Sequence, residues 1–173
     1  MSDPALVVCC GLPGAGKSTV SAYVAERLDA ARYRSDEVRK ELVEEPTYEA
    51  DETTATYDEL IARAKSDLAD GGDVVLDATF SSQTHRDRVY ELGRTTDAEV
   101  EFVLVTCDAD VLRRRIEERT ETVSDAGYDE HLEVKASFDP FDRDHVEIDN
   151  AGSLQATYRQ LDRMVLESVE RGN

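Results

Sequence analysis

An α/β fold, a five-stranded parallel sheet with helices on both faces, is predicted for this chain by three observations. Short apolar runs alternate with amphipathic stretches along its whole length. The first run, Ala5-Leu6-Val7-Val8-Cys9-Cys10, passes directly into a glycine-rich segment and then a helical pattern. Finally, acidic residues stand at or just after the ends of the next two runs, Asp36 and Asp77, where ligands of parallel sheets bind.

The segment after the first strand is Gly11-Leu12-Pro13-Gly14-Ala15-Gly16-Lys17-Ser18-Thr19, which satisfies G-x-x-x-x-G-K-[ST] and marks a P-loop NTPase fold. Glycines at 11, 14 and 16 let backbone N–H groups close on a phosphate chain, with the Ala15 amide among them. The helix opening at Lys17 aims its amides at the same phosphates. Lys17 brings a charge to the β and γ oxygens, the Ser18 hydroxyl is placed to ligate Mg²⁺, and Thr19 is placed for the α-phosphate. ATP and Mg²⁺ are therefore the expected cofactors.

The remaining elements follow in order. Val20 to Leu28 continues the first helix, and Ala31-Arg32-Tyr33-Arg34 is a short second strand. Ser35 reads as an N-cap with Asp36 and Glu37 in the first turn of a helix ending before Pro46. Tyr57, Leu60, Ile61, Ala64 and Leu68 form a helical stripe stopped by Gly71-Gly72. Asp73 to Asp77 is the third strand, running into Ala78-Thr79-Phe80; a helix over 83–95 leads to the fourth strand, Val100 to Cys107. Asp108 and Asp110 open a helix carrying Arg113, Arg114, Arg115 and Arg119. Residues 120–130, polar and containing Gly127, read as a mobile segment, with a short helix to Phe138 after it. Val146-Glu147-Ile148-Asp149 is the fifth strand, and Leu154, Tyr158, Leu161, Val165 and Val169 stripe a terminal helix.

At 173 residues the expectation is one domain spanning 1–173, with an Arg-bearing lid at about 113–130. Acidic residues number 39 against 20 basic ones, and all but four of the basic residues are Arg, for a net charge of −19. Self-repulsion of that size is screened at molar salt, where the Debye length is about 3 Å. The composition therefore resembles the surface of a halophile's protein, the alternative being an acidic face for a basic partner. Cys9, Cys10 and Cys107 match neither a zinc spacing nor a disulfide framework and read as core residues of a reduced protein. With no leader-like start and no apolar segment approaching 18 residues, a cytoplasmic protein without membrane contact is expected.

Outside the P-loop, three constellations bear on chemistry, and each has two readings. Asp36 can take a proton from an acceptor hydroxyl while Arg39, one turn on, holds an anionic or polar part of that acceptor; equally, the two can be a helix-start acid and its i,i+3 partner. Asp77 has the form of a Walker B acid that binds Mg²⁺ or its water, with Thr79 nearby, or it is a turn acid ending a strand. Arg115 and Arg119 share a helix face and suit a lid that supplies transition-state charge, or they pair with Glu117, Glu118 and Glu121 on a solvated helix. His85, His131 and His145 read as structural or surface residues.

The P-loop, the run Arg34-Ser35-Asp36-Glu37-Val38-Arg39, the run Val74-Val75-Leu76-Asp77-Ala78-Thr79-Phe80, the Arg-rich helix and Val146 to Asp149 together resemble the small P-loop kinases related to the kinase domain of polynucleotide kinase and to zeta toxins, chains often grouped with AAA-type ATP-binding domains. The resemblance implies an ATP-dependent kinase with Asp36 as general base, Arg39 as acceptor-contacting arginine, Arg115 and Arg119 near the lid arginines, and adenine beside Asn150-Ala151-Gly152. The expected partner is a small-molecule or nucleotide-like acceptor. A polynucleotide is disfavoured because no basic, aromatic-laced groove is visible. The competing function is an ATPase switch acting on a protein partner, although no guanine-reading N/T-K-x-D motif is present. Oligomeric state and acceptor identity are not legible.

Overall fold

The computed structural model describes residues 3–47, 49–119 and 125–172, with the side chains of residues 119, 125–128, 130 and 170–172 left out of the description. Its sheet has five parallel strands, β1 (Ala5–Cys10), β2 (Ala31–Arg34), β3 (Val74–Asp77), β4 (Glu99–Thr106) and β5 (Val146–Asp149), in the order β2-β3-β1-β4-β5. The predicted α/β class and strand count are both realised.

β1 is central and every residue in it is buried, so its side chains alternate between two cores. Ala5, Val7 and Cys9 pack with α1 (Lys17–Leu28) and with the terminal helical stretch. Leu6, Val8 and Cys10 pack with α3 (Ala50–Ala69) and α4 (Gln83–Thr96) on the opposite face. Cys9 and Cys10 are thus core residues, and burial pushes the Cys10 thiol up to about 12. Cys107 is half-buried at the core's edge.

Register sets the site. Cys9 pairs with Asp77 across β1 and β3, and Arg34 pairs with Asp77 across β2 and β3. The P-loop, Arg34 and Asp77 therefore emerge from one sheet end at one level, with Asp36 two residues further on.

Several boundaries differ from expectation. Ser35 is the first residue of α2 (Ser35–Leu42), not its cap: Arg34, the cap residue, is still extended by strand pairing and makes no side-chain cap, and the first turn carries the acids Asp36 and Glu37. Residues 125–130, expected to be mobile, open the 13-residue helix α6 (Asp125–Ser137); it follows α5 (Ala109–Arg119), and 120–124 lie outside the described residues. The expected short helix to Phe138 is the second half of α6, where His131 is buried against the P-loop.

The terminal stretch is α7 (Leu154–Leu161), a π-helical turn over Asp162–Leu166, and α8 (Glu167–Gly172). The wider turn brings both Val165 and Leu166 inward, whereas Leu154 at the start of the expected stripe is 52% exposed. Among the described residues no helix is long and apolar enough to cross a membrane.

Candidate functional site

The loop between β1 and α1 takes its shape from glycine at positive φ. Gly11, at φ 147°, donates its N–H to the Thr79 carbonyl at 3.3 Å, and a Cβ there would stand 2.5 Å from the Val105 carbonyl oxygen. Gly16, at φ 96°, precedes α1, and a Cβ on it would overlap the Asn150 amide. Asn150 is buried and braces the loop: its Nδ2 donates to the Ala15 carbonyl at 2.8 Å, and its Oδ1 accepts from Thr157 Oγ1 at 2.7 Å. Across the loop, His131 Nδ1 lies 3.2 Å from the Pro13 carbonyl oxygen, and burial holds its pKa below the usual value.

A cavity of about 540 Å³ opens at this end of the sheet. Gly14, Gly16, Lys17 and Ser18 line it together with Asp36, Arg39, Asp77 and Thr79, so the structure gathers most of the residues singled out by sequence into one space. Lys17 Nζ donates to the Leu12 carbonyl at 3.2 Å, curled over the loop.

Asp77 is buried, and its Oδ2 accepts from Ser21 Oγ at 2.6 Å. Two guanidiniums flank that oxygen, Arg32 at 3.9 Å and Arg34 at 3.8 Å. Arg32 also donates to Ser21 Oγ at 2.9 Å and to the Ser18 carbonyl at 2.8 Å, tying the first turn of α1 to β2 and β3. Arg39 is buried in the wall, its Nη1 2.9 Å from Glu52 Oε1, with Thr53 Oγ1 at 3.4 Å.

The turn after Asp77 is strained. Phe80 sits at φ 49°, unusual for a bulky residue, and is held there by the Tyr57 hydroxyl, which accepts its N–H at 3.0 Å, and by Arg86 Nε, which donates to its carbonyl at 2.8 Å. Tyr57 stacks on His85 with centroids 4.0 Å apart, and both line the cavity. Burial pushes the Tyr57 phenol up to about 12 and, together with nearby Arg88, lowers the His85 pKa.

A second pocket of about 250 Å³ meets the first at Gly14 and Gly16 and is lined also by Thr19, Arg115, Asn150, Gly152 and Leu154. Arg115 thus lies beside the Asn150 loop, with Nη1 3.4 Å from Cys107 Sγ, and is not part of the larger cavity's wall. α5 leaves the sheet on the Asn150 side, and that placement separates Arg115 from Asp36. The Arg119 side chain lies outside the described residues. Arg113 pairs with Glu117 at 3.3 Å on an exposed helix face.

Sequence reasoning missed Ser21, Arg32, Glu52, Thr53, Tyr57 and His85 as site residues. Glu52, Thr53 and Tyr57 share one face of α3 and carried a weak signal, polar groups beside an apolar stripe. Ser21 and His85 carried none, because their roles depend on elements distant in sequence. His131, read as structural or surface, is structural in the strict sense that it packs on the P-loop.

Known proteins supply an independent comparison. An uncharacterized protein of Mycobacterium tuberculosis (strain H37Rv) is 28% identical over 167 residues, 90% of this chain and 33% of that protein; the chain spans about a third of the length of the curated relatives it matches. Among solved structures, the M. tuberculosis APS kinase CysC in complex with AMPPNP and APS superposes with a TM-score of 0.74 at 14% identity over 99% of both chains. A gluconokinase from Sinorhizobium meliloti 1021 gives 0.70 at 20% identity over the full length of both. A chain of the Pnkp1/Rnl/Hen1 RNA repair complex gives 0.63 at 22% identity over 80% of this chain and 47% of that one. These likenesses establish that the chain shares the α/β fold of these proteins. The profile of the AAA domain family matches residues 6–141, from β1 past α6, and the chain therefore belongs to that AAA domain family.

Proposed function

We propose that this protein is an ATP-dependent phosphotransferase that moves the γ-phosphate of Mg-ATP to a hydroxyl on a small acceptor. The observation that carries the reading is the division of space about the P-loop. The cavity holding Lys17 and Ser18 extends to Asp36 and Arg39, while the second pocket, beside Asn150 and Gly152, meets it only at Gly14 and Gly16. A nucleotide in the smaller pocket with its phosphates on the loop directs the γ-phosphate into the larger cavity, where an acceptor has room. A simple hydrolase needs no such compartment. The gluconokinase and APS kinase neighbours, named for small-molecule substrates, support the same reading.

In the transfer, the bond between the γ-phosphorus and its bridging oxygen breaks and a bond to the acceptor oxygen forms. The acceptor proton passes to the Asp36 carboxylate, and ADP leaves with the bridging electrons. Lys17 holds the β and γ oxygens. Ser18 and Asp77 offer only oxygen donors, the set that suits Mg²⁺ held jointly by protein and phosphates, and Ser21, Arg32 and Arg34 keep the Asp77 carboxylate in place. When bound, the metal would neutralise charge gathering on the phosphates. A polynucleotide acceptor is disfavoured by the net charge of −19.

The test is transfer of γ-labelled phosphate from Mg-ATP, in molar KCl, to a panel of sugars, nucleosides, nucleotides and 5′-hydroxyl oligonucleotides. Lys17→Ala should abolish turnover. Asp36→Asn should keep ATP binding and lose about 10²- to 10⁴-fold in transfer. Release of free phosphate alone, indifferent to acceptor and to Asp36→Asn, would establish the ATPase switch instead.

A further inference from the structure

We propose that the acceptor carries no phosphate group of its own, and that Arg39 on the cavity wall, with its charge met by Glu52, enforces this. The inference rests on the phosphotransferase reading and narrows its acceptor to a small, unphosphorylated, hydroxyl-bearing molecule.

An arginine at the acceptor end of a cavity is the ordinary reason to expect an anionic substrate. Here its charge is already met. Arg39 Nη1 lies 2.9 Å from Glu52 Oε1, and both side chains are 9% exposed. The carboxylate is not a loose partner that an incoming phosphate can displace, because Glu52 Oε2 accepts from the Thr47 N–H and the Thr47 hydroxyl, both at 2.9 Å. Thr53 Oγ1 lies within 3.5 Å of both Arg39 terminal nitrogens. A phosphate dianion brought to Arg39 would meet a buried carboxylate one bond beyond it, so repulsion offsets the attraction in a region of low dielectric.

The other arginine of this cavity also faces carboxylates, though more loosely: Glu37 is exposed, and the buried Arg34 Nε makes no hydrogen bond among the described residues. Arg34 Nη1 is 3.1 Å from Glu37, and its Nε is 3.8 Å from Asp77. Apart from Lys17 and the carboxylates at the P-loop end, what the wall offers beside these arginines is hydroxyl and imidazole chemistry, from Ser35, Thr53, Ser81 and the His85 ring. Burial, with Arg88 nearby, lowers the pKa of that ring and so favours its neutral form, in which a ring nitrogen donates or accepts according to tautomer. Such groups recognise alcohols. The cavity, at about 540 Å³ including the space beside the P-loop, has the size of a small-molecule site.

The experiment uses matched acceptor pairs, a hexose with its monophosphate and a nucleoside with its monophosphate. Each is assayed for γ-label transfer with the wild-type chain and with Glu52→Gln, which keeps the shape and removes the charge. Wild type should favour the unphosphorylated member of at least one pair by tenfold or more in kcat/KM, and Glu52→Gln should move that ratio at least tenfold toward the phosphorylated member. In parallel, the monophosphates are titrated into each protein saturated with AMPPNP; binding should appear in Glu52→Gln and be absent in wild type. Preference of wild type for a phosphorylated member, or equal binding of monophosphate by the two proteins, overturns the inference. Absence of transfer to every acceptor, with the binding difference intact, overturns the phosphotransferase reading and leaves the charge-closed wall standing. Should Glu52→Gln fail to fold, the wild-type preference and the wild-type titration decide the matter.

Discussion

Asn150→Ala is the substitution whose consequences can be followed furthest. Asn150 is 7% exposed and joins three elements: its N–H donates to the Thr106 carbonyl at the end of β4, its Nδ2 to the Ala15 carbonyl inside the P-loop, and its Oδ1 accepts from Thr157 on α7. Alanine keeps the backbone bond and deletes both side-chain bonds. The Thr157 hydroxyl can fall back on the Ser153 carbonyl, 3.4 Å away, so the loss concentrates on Ala15. The buried Ala15 carbonyl left without its donor at about 1–2 kcal/mol, plus the space left by the amide and the longer bond at Thr157, amounts to about 2–3 kcal/mol. For a chain of this size that lowers the thermal midpoint by about 4–12 °C.

Part of this energy holds the phosphate loop, and that part will appear as a raised KM for ATP, about tenfold for each 1.4 kcal/mol. Gly16→Ala supplies the cross-check. Its Cβ overlaps Asn150 Nδ2 and is also strained at φ 96°, so in the Asn150→Ala background the overlap disappears while the strain of about 1–2 kcal/mol remains. The double variant should therefore be more stable than the sum of the single ones by at least about 0.5 kcal/mol. Melting curves and steady-state ATP kinetics on the four proteins decide it. A wild-type midpoint together with a wild-type KM in Asn150→Ala would refute the bracing role.

Three other outcomes are expected. With a net charge of −19, the thermal midpoint should climb as KCl rises from about 0.1 M to 1 M, and a flat response would show that self-repulsion does not limit stability. Burial holds His131 below its ordinary 6.5, so the unfolded chain takes up the proton first; stability is complete above 6.5 and is lost as pH falls through the window beneath it. His131→Gln should flatten the midpoint's pH dependence between about 7 and 5.5, leaving the share of His85, whose pKa is lowered in the same sense, and superimposable curves would refute it. Tyr57→Phe removes the acceptor of the Phe80 N–H at the strained turn and should cost about 1–3 kcal/mol in denaturant unfolding, a loss that an unchanged midpoint would exclude.

What the sequence determined by itself is local. A parallel strand buried on both faces must be continuously apolar, which is why Ala5–Cys10 was legible, and a loop that wraps phosphate needs glycines at set spacing, which is why Gly11–Thr19 was. Asp36 and Asp77 were legible because acids at strand ends face the ligand side of any such sheet. The first turns of α6, residues 125–130, were not, since a polar run containing Gly127 carries no apolar stripe for hydrophobic periodicity to register.

Only the tertiary structure decided how the charges are paired and on which side of the P-loop each arginine falls. Arg39 is closed by Glu52, 13 residues later and on another helix, and Asp77 is held by Ser21 and flanked by Arg32 from two other elements. Arg115 lies against Cys107 beside the Asn150 loop. Helical spacing tells which residues share a face, but not what stands opposite that face. Electrostatic pairing acts through a few ångströms of space regardless of chain separation, so it becomes readable only once the sheet order has brought those segments together.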